Sequence, residues 1–235
     1  MNFIIYLLSL FDRYNQKKIL NYFKSKNLQY GIFFDVGAHK GETLKLFSNN
    51  FNIREFYCFE PSPINFEYLK KKNLRNNKNI KIFNFGLGDK ESVLAFNQLE
   101  ESSSSTLVDI NQDSNYYKKK QKILNFFNLN RDKRKKINVN MHCLSEFMKK
   151  ESIDKIDILK IDTEGYEYKV IKGAKENIKN IQYIYFEHHF DNMLKKGYSF
   201  SDIHRYLTKN GFKKEFKIKM CFRKTFEYIY LNTKL

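Results

Sequence analysis

Apolar and polar positions along the chain switch repeatedly between strand-like runs and helical periods. Ile32, Phe33, Phe34 and Val36 form a continuous apolar run, the length of a strand covered on both faces. Glu42 and Thr43 then open a helical period carried by Leu44, Phe47 and Phe51. A second apolar run, Phe56-Tyr-Cys-Phe, ends in Glu60 and is stopped by Pro61 and Pro63 before a helix over 65–72. Residues 79–85 predict a third strand ending in the turn Gly86-Leu87-Gly88-Asp89, and 91–98 a short additional one. Residues 138–144 lead through a helix from Ser145 to a strand over 156–162 and the turn Thr163-Glu164-Gly165. Val170, Ile171, Ala174, Ile178 and Ile181 recur at helical spacing, and 181–187 reads as the next strand. A helix over 197–210 is closed by Gly211, and 212–220 with 226–231 form a terminal strand pair. Helices between about seven strands predict an α/β fold, with a mostly parallel sheet and an antiparallel terminal strand.

Candidate chemistry gathers where these strands end. Asp35 sits at the carboxyl end of the first strand, where open α/β sheets place their ligands. Gly37 and Gly41 permit a sharp turn and a close approach to a bound molecule. The pattern is D-x-G-x-x-x-G. A dinucleotide fingerprint would need glycines where His39 and Glu42 stand, and a P-loop would need a Ser or Thr after a Gly-Lys pair. An acid before the loop, with no seat for a pyrophosphate, suits a cationic ligand without phosphates, such as S-adenosylmethionine. Glu60 lies 23 residues after Gly37, about the separation at which a strand-tip acid reaches ribose hydroxyls. Two ionised oxygens match two vicinal donors. Gly88 and Asp89 make either a plain Gly-Asp turn or the lining of an adenine pocket.

Lys160, Asp162 and Glu164 crowd the end of the 156–162 strand, and Glu187, His188 and His189 the end of the next. Charges in and beyond buried strands are costly unless paired or used. They offer a general base or a metal site, with a surface role the plain alternative for His189. Ser102 to Thr106 is a hydroxyl-rich loop, either a solvated linker or a device that orients a substrate.

Composition adjusts this picture. The 235 residues suit one domain over 31–235, preceded by an amphipathic helical segment over 1–30. That segment is too short to span a bilayer and lacks the marks of a signal peptide. It covers the core or docks on a membrane surface. The net charge of +17 favours anionic partners, although the lysines are spread over the whole chain. Three scattered cysteines, Cys58, Cys143 and Cys221, argue against disulfides or a zinc site and for a reducing compartment, the cytoplasm. The stretch 109–137 mixes aromatics (Tyr116, Tyr117, Phe126, Phe127) with lysines and arginines such as Arg131 and Lys133, as in a lid, an acceptor surface or an RNA patch.

Phe34-Asp-Val-Gly-Ala-His-Lys-Gly41, Phe59-Glu-Pro-Ser-Pro63, Leu159-Lys-Ile-Asp-Thr-Glu-Gly165, Val170-Ile-Lys-Gly-Ala174 and Tyr185-Phe-Glu187, in this order, resemble the FkbM family of methyltransferases. The resemblance implies the class I, Rossmann-like methyltransferase fold and S-adenosylmethionine as donor. It also implies O-methylation of a hydroxyl on a saccharide, glycan or related natural product. By position, Asp35, Gly37, Ala38, His39 and Gly41 hold the methionine end, Glu60 with Pro61 the ribose, and Gly88 with Asp89 the adenine. Asp162, Glu164 and His188 are the catalytic candidates, Asp162 first, and a divalent metal is open. Thr163 stands where the family often has valine, and 109–137 has no counterpart. The alternatives are an RNA or protein methyltransferase using the basic stretch, or a non-catalytic membrane-surface protein. A nicotinamide oxidoreductase is disfavoured by the glycine pattern.

Overall fold

The computed structural model describes residues 3–73, 79–99, 105–126, 134–221 and 223–235, with side chains from residue 13 onward in its first helix. Met1 and Asn2, Ser102 to Ser104, and Phe127, Arg131 and Lys133 of the basic stretch lie outside the described residues.

Helix α1 (Phe3–Ser25) leads into strand β1 (Tyr30–Val36), helix α2 (Glu42–Ser48), strand β2 (Ile53–Phe59), helix α3 (Pro63–Asn73) and strands β3 (Ile80–Phe83), β4 (Gly86–Gly88) and β5 (Ser92–Leu99). Helix α4 (Asn115–Phe126), strand β6 (Arg134–Cys143), helix α5 (Leu144–Lys150), strand β7 (Ile156–Ile161) and helix α6 (Glu167–Gly173) follow. A 3-10 segment over Lys175–Asn180, strand β8 (Ile181–His189), helix α7 (Phe200–Lys209) and strands β9 (Phe212–Lys219) and β10 (Thr225–Asn232) complete the chain. Seven strands form one sheet in the order β3-β2-β1-β7-β8-β10-β9. Within it β1 pairs parallel with β2 and β7, and only β10 runs against its neighbours β8 and β9.

Alternation along the strands sends side chains to two cores. Phe34, Val36, Leu159, Ile161, Ile184 and Phe186 pack under α5, α6 and α7. Phe33, Phe56, Cys58, Ile158, Tyr183 and Tyr185 face the other way, under α1 and α2. Ile19 and Phe23 of α1 are fully buried there, so this end of the N-terminal helix is part of the core. Each such side chain removed from water contributes about 1.5–3 kcal/mol. Among the described residues no helix is long and apolar enough to cross a membrane.

The sequence reading is corrected at three places. Gly86–Gly88 is a strand, not a turn: it pairs parallel with β6, which pairs antiparallel with β5, and the three make a second small sheet. The last residues of the basic stretch belong to β6, which opposes Gln98 and Leu99 of β5 from Lys135 and Arg134. The helix after Gly165 stops at Gly173, where Lys175 takes a positive φ of 47° and the chain tightens into the 3-10 segment. Gly173 explains the close packing there. A Cβ on it would lie 1.8 Å from the carbonyl oxygen of Gly88, so α6 can rest on β4 only with glycine at this position.

Candidate active site

The sheet order reverses direction between β1 and β7, the position at which open α/β sheets form a ligand crevice. A cleft of about 340 Å³ opens there, lined by Gly37, Ala38, His39, Glu60, Pro61, Asp162 and Glu164 among others. Gly37 has φ +83°, and a Cβ on it would lie 1.9 Å from the carbonyl oxygen of Asp162. The glycine is therefore required by the contact of two strand ends, β1 and β7, before any ligand is considered. Gly41, with φ +85°, starts α2 in the left-handed conformation.

Glu60 is buried and accepts hydrogen bonds from the backbone N–H of His39 and of Ser62, each at 2.8 Å. Burial raises its pKa, against these bonds. Asn65, in the first turn of α3, is buried beside the cleft, and its Oδ1 has no hydrogen-bond partner among the described residues. The Asn65 side chain also donates to Glu60, so about one acceptor position of the carboxylate remains, and with Asn65 Oδ1 it is open to a ligand carrying hydroxyls. Asp35 lies behind the loop, fully enclosed. Burial pushes it up to about 7, only partly opposed by Lys160, and neither carboxyl oxygen has a hydrogen-bond partner among the described residues.

The polar row continues across the sheet. In register, Asp35 stands beside Lys160, and Lys160 beside Tyr185. Lys160 is 2% exposed, yet its ammonium remains charged. Burial works against the charge, and the carboxylates of Asp162, Glu227 and Glu187 more than reverse that effect. The Lys160 Nζ lies 3.2 Å from Asp162 Oδ2 and 4.8 Å from the centre of the Tyr185 ring, and the Tyr185 hydroxyl donates to Glu227. Burial alone would raise Asp162, but Lys160 holds it below the usual carboxylate range.

Glu164 adopts a positive φ of 49°, a conformation non-glycine residues adopt at a cost. The turn is fixed by Glu167, which accepts from Gly165 N at 2.7 Å, and by Thr106, whose hydroxyl donates to the Glu164 carbonyl oxygen at 2.6 Å. The Glu164 carboxylate then meets His189, Nε2 to Oε2 at 3.1 Å, and Glu187 Oε1 lies 3.2 Å from the same nitrogen. Burial and the Asp162 charge push Glu187 up to about 7. His189 is buried, not a surface residue. Burial would lower its pKa, and the carboxylates of Glu164, Asp191 and Glu187 raise it instead.

The structure does not bring together every residue singled out in the sequence. His188 points to the opposite face of β8, where its ring packs on Phe190, Tyr198 and Phe200. Burial there lowers its pKa to about 3. Gly88 and Asp89 lie outside the cleft lining, with Gly88 against the Tyr166 ring and Asp89 ion-paired to Lys169 at 2.9 Å. Gly86 and Leu87 face the cleft in their place. Sequence reasoning missed Asn65 and Glu227. The period of two from Tyr185 through Glu187 would have chosen His189 over His188.

The strand order, the single reversed strand and a cleft at the reversal define a class I methyltransferase fold. The Methyltransferase FkbM domain matches residues 35–214, and the chain belongs to that family. No curated protein matches the sequence. Among solved structures, methyltransferase FkbM from Methylobacillus flagellatus KT is similar, with a TM-score of 0.56 and 13% identity over 86% of this chain. The chain spans 43% of the length of that relative. Magnesium protoporphyrin IX methyltransferase (ChlM) from Synechocystis PCC 6803, solved with bound SAM, gives a TM-score of 0.54 at 8% identity, covering 99% of this chain and 85% of its own.

Proposed function

We propose that the protein is an S-adenosylmethionine-dependent O-methyltransferase whose acceptor is a hydroxyl of a saccharide or related natural product. The observation that carries the donor assignment is the Glu60–Asn65 pair. A buried carboxylate with a spare acceptor position, beside a buried amide oxygen without a partner among the described residues, fits the two hydroxyls of a ribose. Gly37, Ala38 and His39 would hold the methionine end, with Asp35 behind them, and Gly86 and Leu87 would lie toward the adenine. The charge of the cleft supports the same reading. Glu42, Glu60, Asp162, Glu164, Glu187 and Glu227 line it against Lys160 and Arg223, an acidic lining in a chain of net charge +17. Such a cleft favours a sulfonium ligand and disfavours phosphate-rich ones.

Bound there, S-adenosylmethionine supplies an electrophilic methyl group on sulfur. An acceptor hydroxyl is a weak nucleophile until a base takes its proton. Asp162 is the proposed base: it reaches the cleft, and Lys160 keeps it ionised. The same pairing makes it a mild base, so the hydroxyl needs further activation within the site.

A second hollow of about 380 Å³ supports a saccharide acceptor. It is lined by Asn111, Asp113 and Asn192, by the half-exposed ring of Phe190, and by Asp191, which stands 3.7 Å from His189. Planar amides and carboxylates pair with vicinal hydroxyls, and an aromatic face covers the C–H side of a sugar ring. The test is transfer of labelled methyl from S-adenosylmethionine to a panel of mono- and oligosaccharides, with RNA and protein acceptors alongside. Label in saccharides is the expected result, and label confined to RNA or protein would replace this reading.

A further inference from the structure

We propose that Glu164, Glu187 and His189 form a binding site for a divalent cation at the mouth of the cleft. One ligand atom from each residue lies within 4.8 Å of the others, and Nε2 of His189 is 3.1 Å from Glu164 Oε2 and 3.2 Å from Glu187 Oε1. Ligand atoms about 3 Å apart form the edges of an octahedron whose bonds are about 2.1 Å. Glu164 and Glu187 line the cleft, so the remaining coordination positions would face the space reserved for the acceptor.

The surroundings of His189 point independently to a cation on Nε2. Its Nδ1 lies 3.1 Å from Thr225 Oγ1, with Asp191 Oδ2 at 3.7 Å. A hydroxyl within hydrogen-bond distance of the far nitrogen, with a carboxylate just beyond it, suits the tautomer that leaves Nε2 free to ligate, the usual outer arrangement of metal-bound histidines. The Asp191 side chain is 1% exposed, and its Oδ2 has no hydrogen-bond partner among the described residues. An unpaired buried carboxylate oxygen is costly, and a cation that polarises the ring toward it offsets that cost. Three carboxylates stand within ion-pair distance of one imidazole. Lys196 is engaged by the His189 carbonyl oxygen.

One imidazole with two carboxylates suits Mn²⁺, Fe²⁺ or Zn²⁺ better than Ca²⁺ or Cu⁺. Its use in catalysis rests on the methyl-transfer reading; its binding does not. A hydroxyl ligated to the ion would become more acidic and pass its proton to Asp162. Its oxygen would then bond to the methyl carbon as the carbon–sulfur bond breaks, with the electron pair staying on the departing thioether sulfur.

The test is a titration of the chelator-treated full chain with Mn²⁺, without S-adenosylmethionine, reading the paramagnetic resonance of the free ion. The site predicts uptake of a single equivalent at micromolar concentration. It also predicts that His189→Gln and, separately, Glu164→Gln weaken uptake by about tenfold or more. Glu164 is on a turn and partly exposed, so its variant keeps the test sharp if the buried His189 variant fails to fold. His142→Gln, on the surface of β6, should bind as wild type does. Absence of uptake by folded wild-type protein below about 1 mM Mn²⁺, or a folded Glu164→Gln that binds unchanged, would overturn the proposal.

Discussion

The ammonium of Lys160 lies 3.2 Å from Asp162 Oδ2, and both residues line the cleft, the lysine with a side chain 3% exposed and the aspartate with one 38% exposed. The pair therefore has a structural half and a chemical half. Asp162→Asn is expected to lower kcat by about 10²–10⁴-fold, with S-adenosylmethionine affinity unchanged by calorimetry. Lys160→Met is expected to cost about 3–5 kcal/mol of stability, because it leaves buried carboxyls without their counter-charge. Full turnover in Asp162→Asn would remove the base assignment.

Asp35 predicts an unusual dependence of stability on pH. Its folded value of about 7 lies above the unfolded value of about 4, so the folded state holds the proton more tightly. The stabilisation is complete below the unfolded value and is lost as pH rises through the folded one. Without ligand, wild-type protein should lose melting temperature relative to Asp35→Asn between about pH 4 and 7. Any cost of the buried amide in the variant is a constant offset. Parallel melting curves over that window would contradict a buried, unpaired Asp35.

Gly173 tests the packing under the cleft. A Cβ there would sit 1.8 Å from Gly88 O and 2.7 Å from Gly88 C, backbone atoms that cannot turn aside. Gly173→Ala should destabilise by about 1–3 kcal/mol or more, read by denaturant unfolding, even though alanine favours helices. A neutral outcome would mean that α6 does not rest on β4.

His188→Phe should leave turnover within about twofold and stability equal or higher. The ring already lies among Phe190, Tyr198 and Phe200, and its Nδ1 is buried without a hydrogen-bond partner among the described residues. Loss of turnover in a folded variant would restore His188 to the catalytic set.

The strands of the main sheet were legible because the central ones carry apolar runs and the edge ones, β3 and β9, alternate, and the cleft followed from where Asp35, Glu60 and Asp162 end the central runs. Side-chain direction was less legible. Alternation decides that Glu187 and His189 share a face and His188 does not, and a motif read as a string hides this. The placement of Glu227 depends on β10 pairing opposite Glu187, a contact 40 residues away in sequence (227 against 187). Gly86–Gly88 carries too few side chains to announce a strand, and its partner β6 lies beyond the basic stretch. Gly173 looked like an ordinary helical residue until the Gly88 carbonyl oxygen appeared beneath it.

The most direct measurement is calorimetric titration of the purified chain with S-adenosylmethionine and S-adenosylhomocysteine, repeated on Glu60→Gln. The account predicts micromolar binding of both by wild type and a loss of about tenfold or more in the variant, because one ribose acceptor is removed where a second, Asn65, remains. Absence of binding to folded wild-type protein, or equal affinity in the variant, would contradict the assignment of the cleft to this donor.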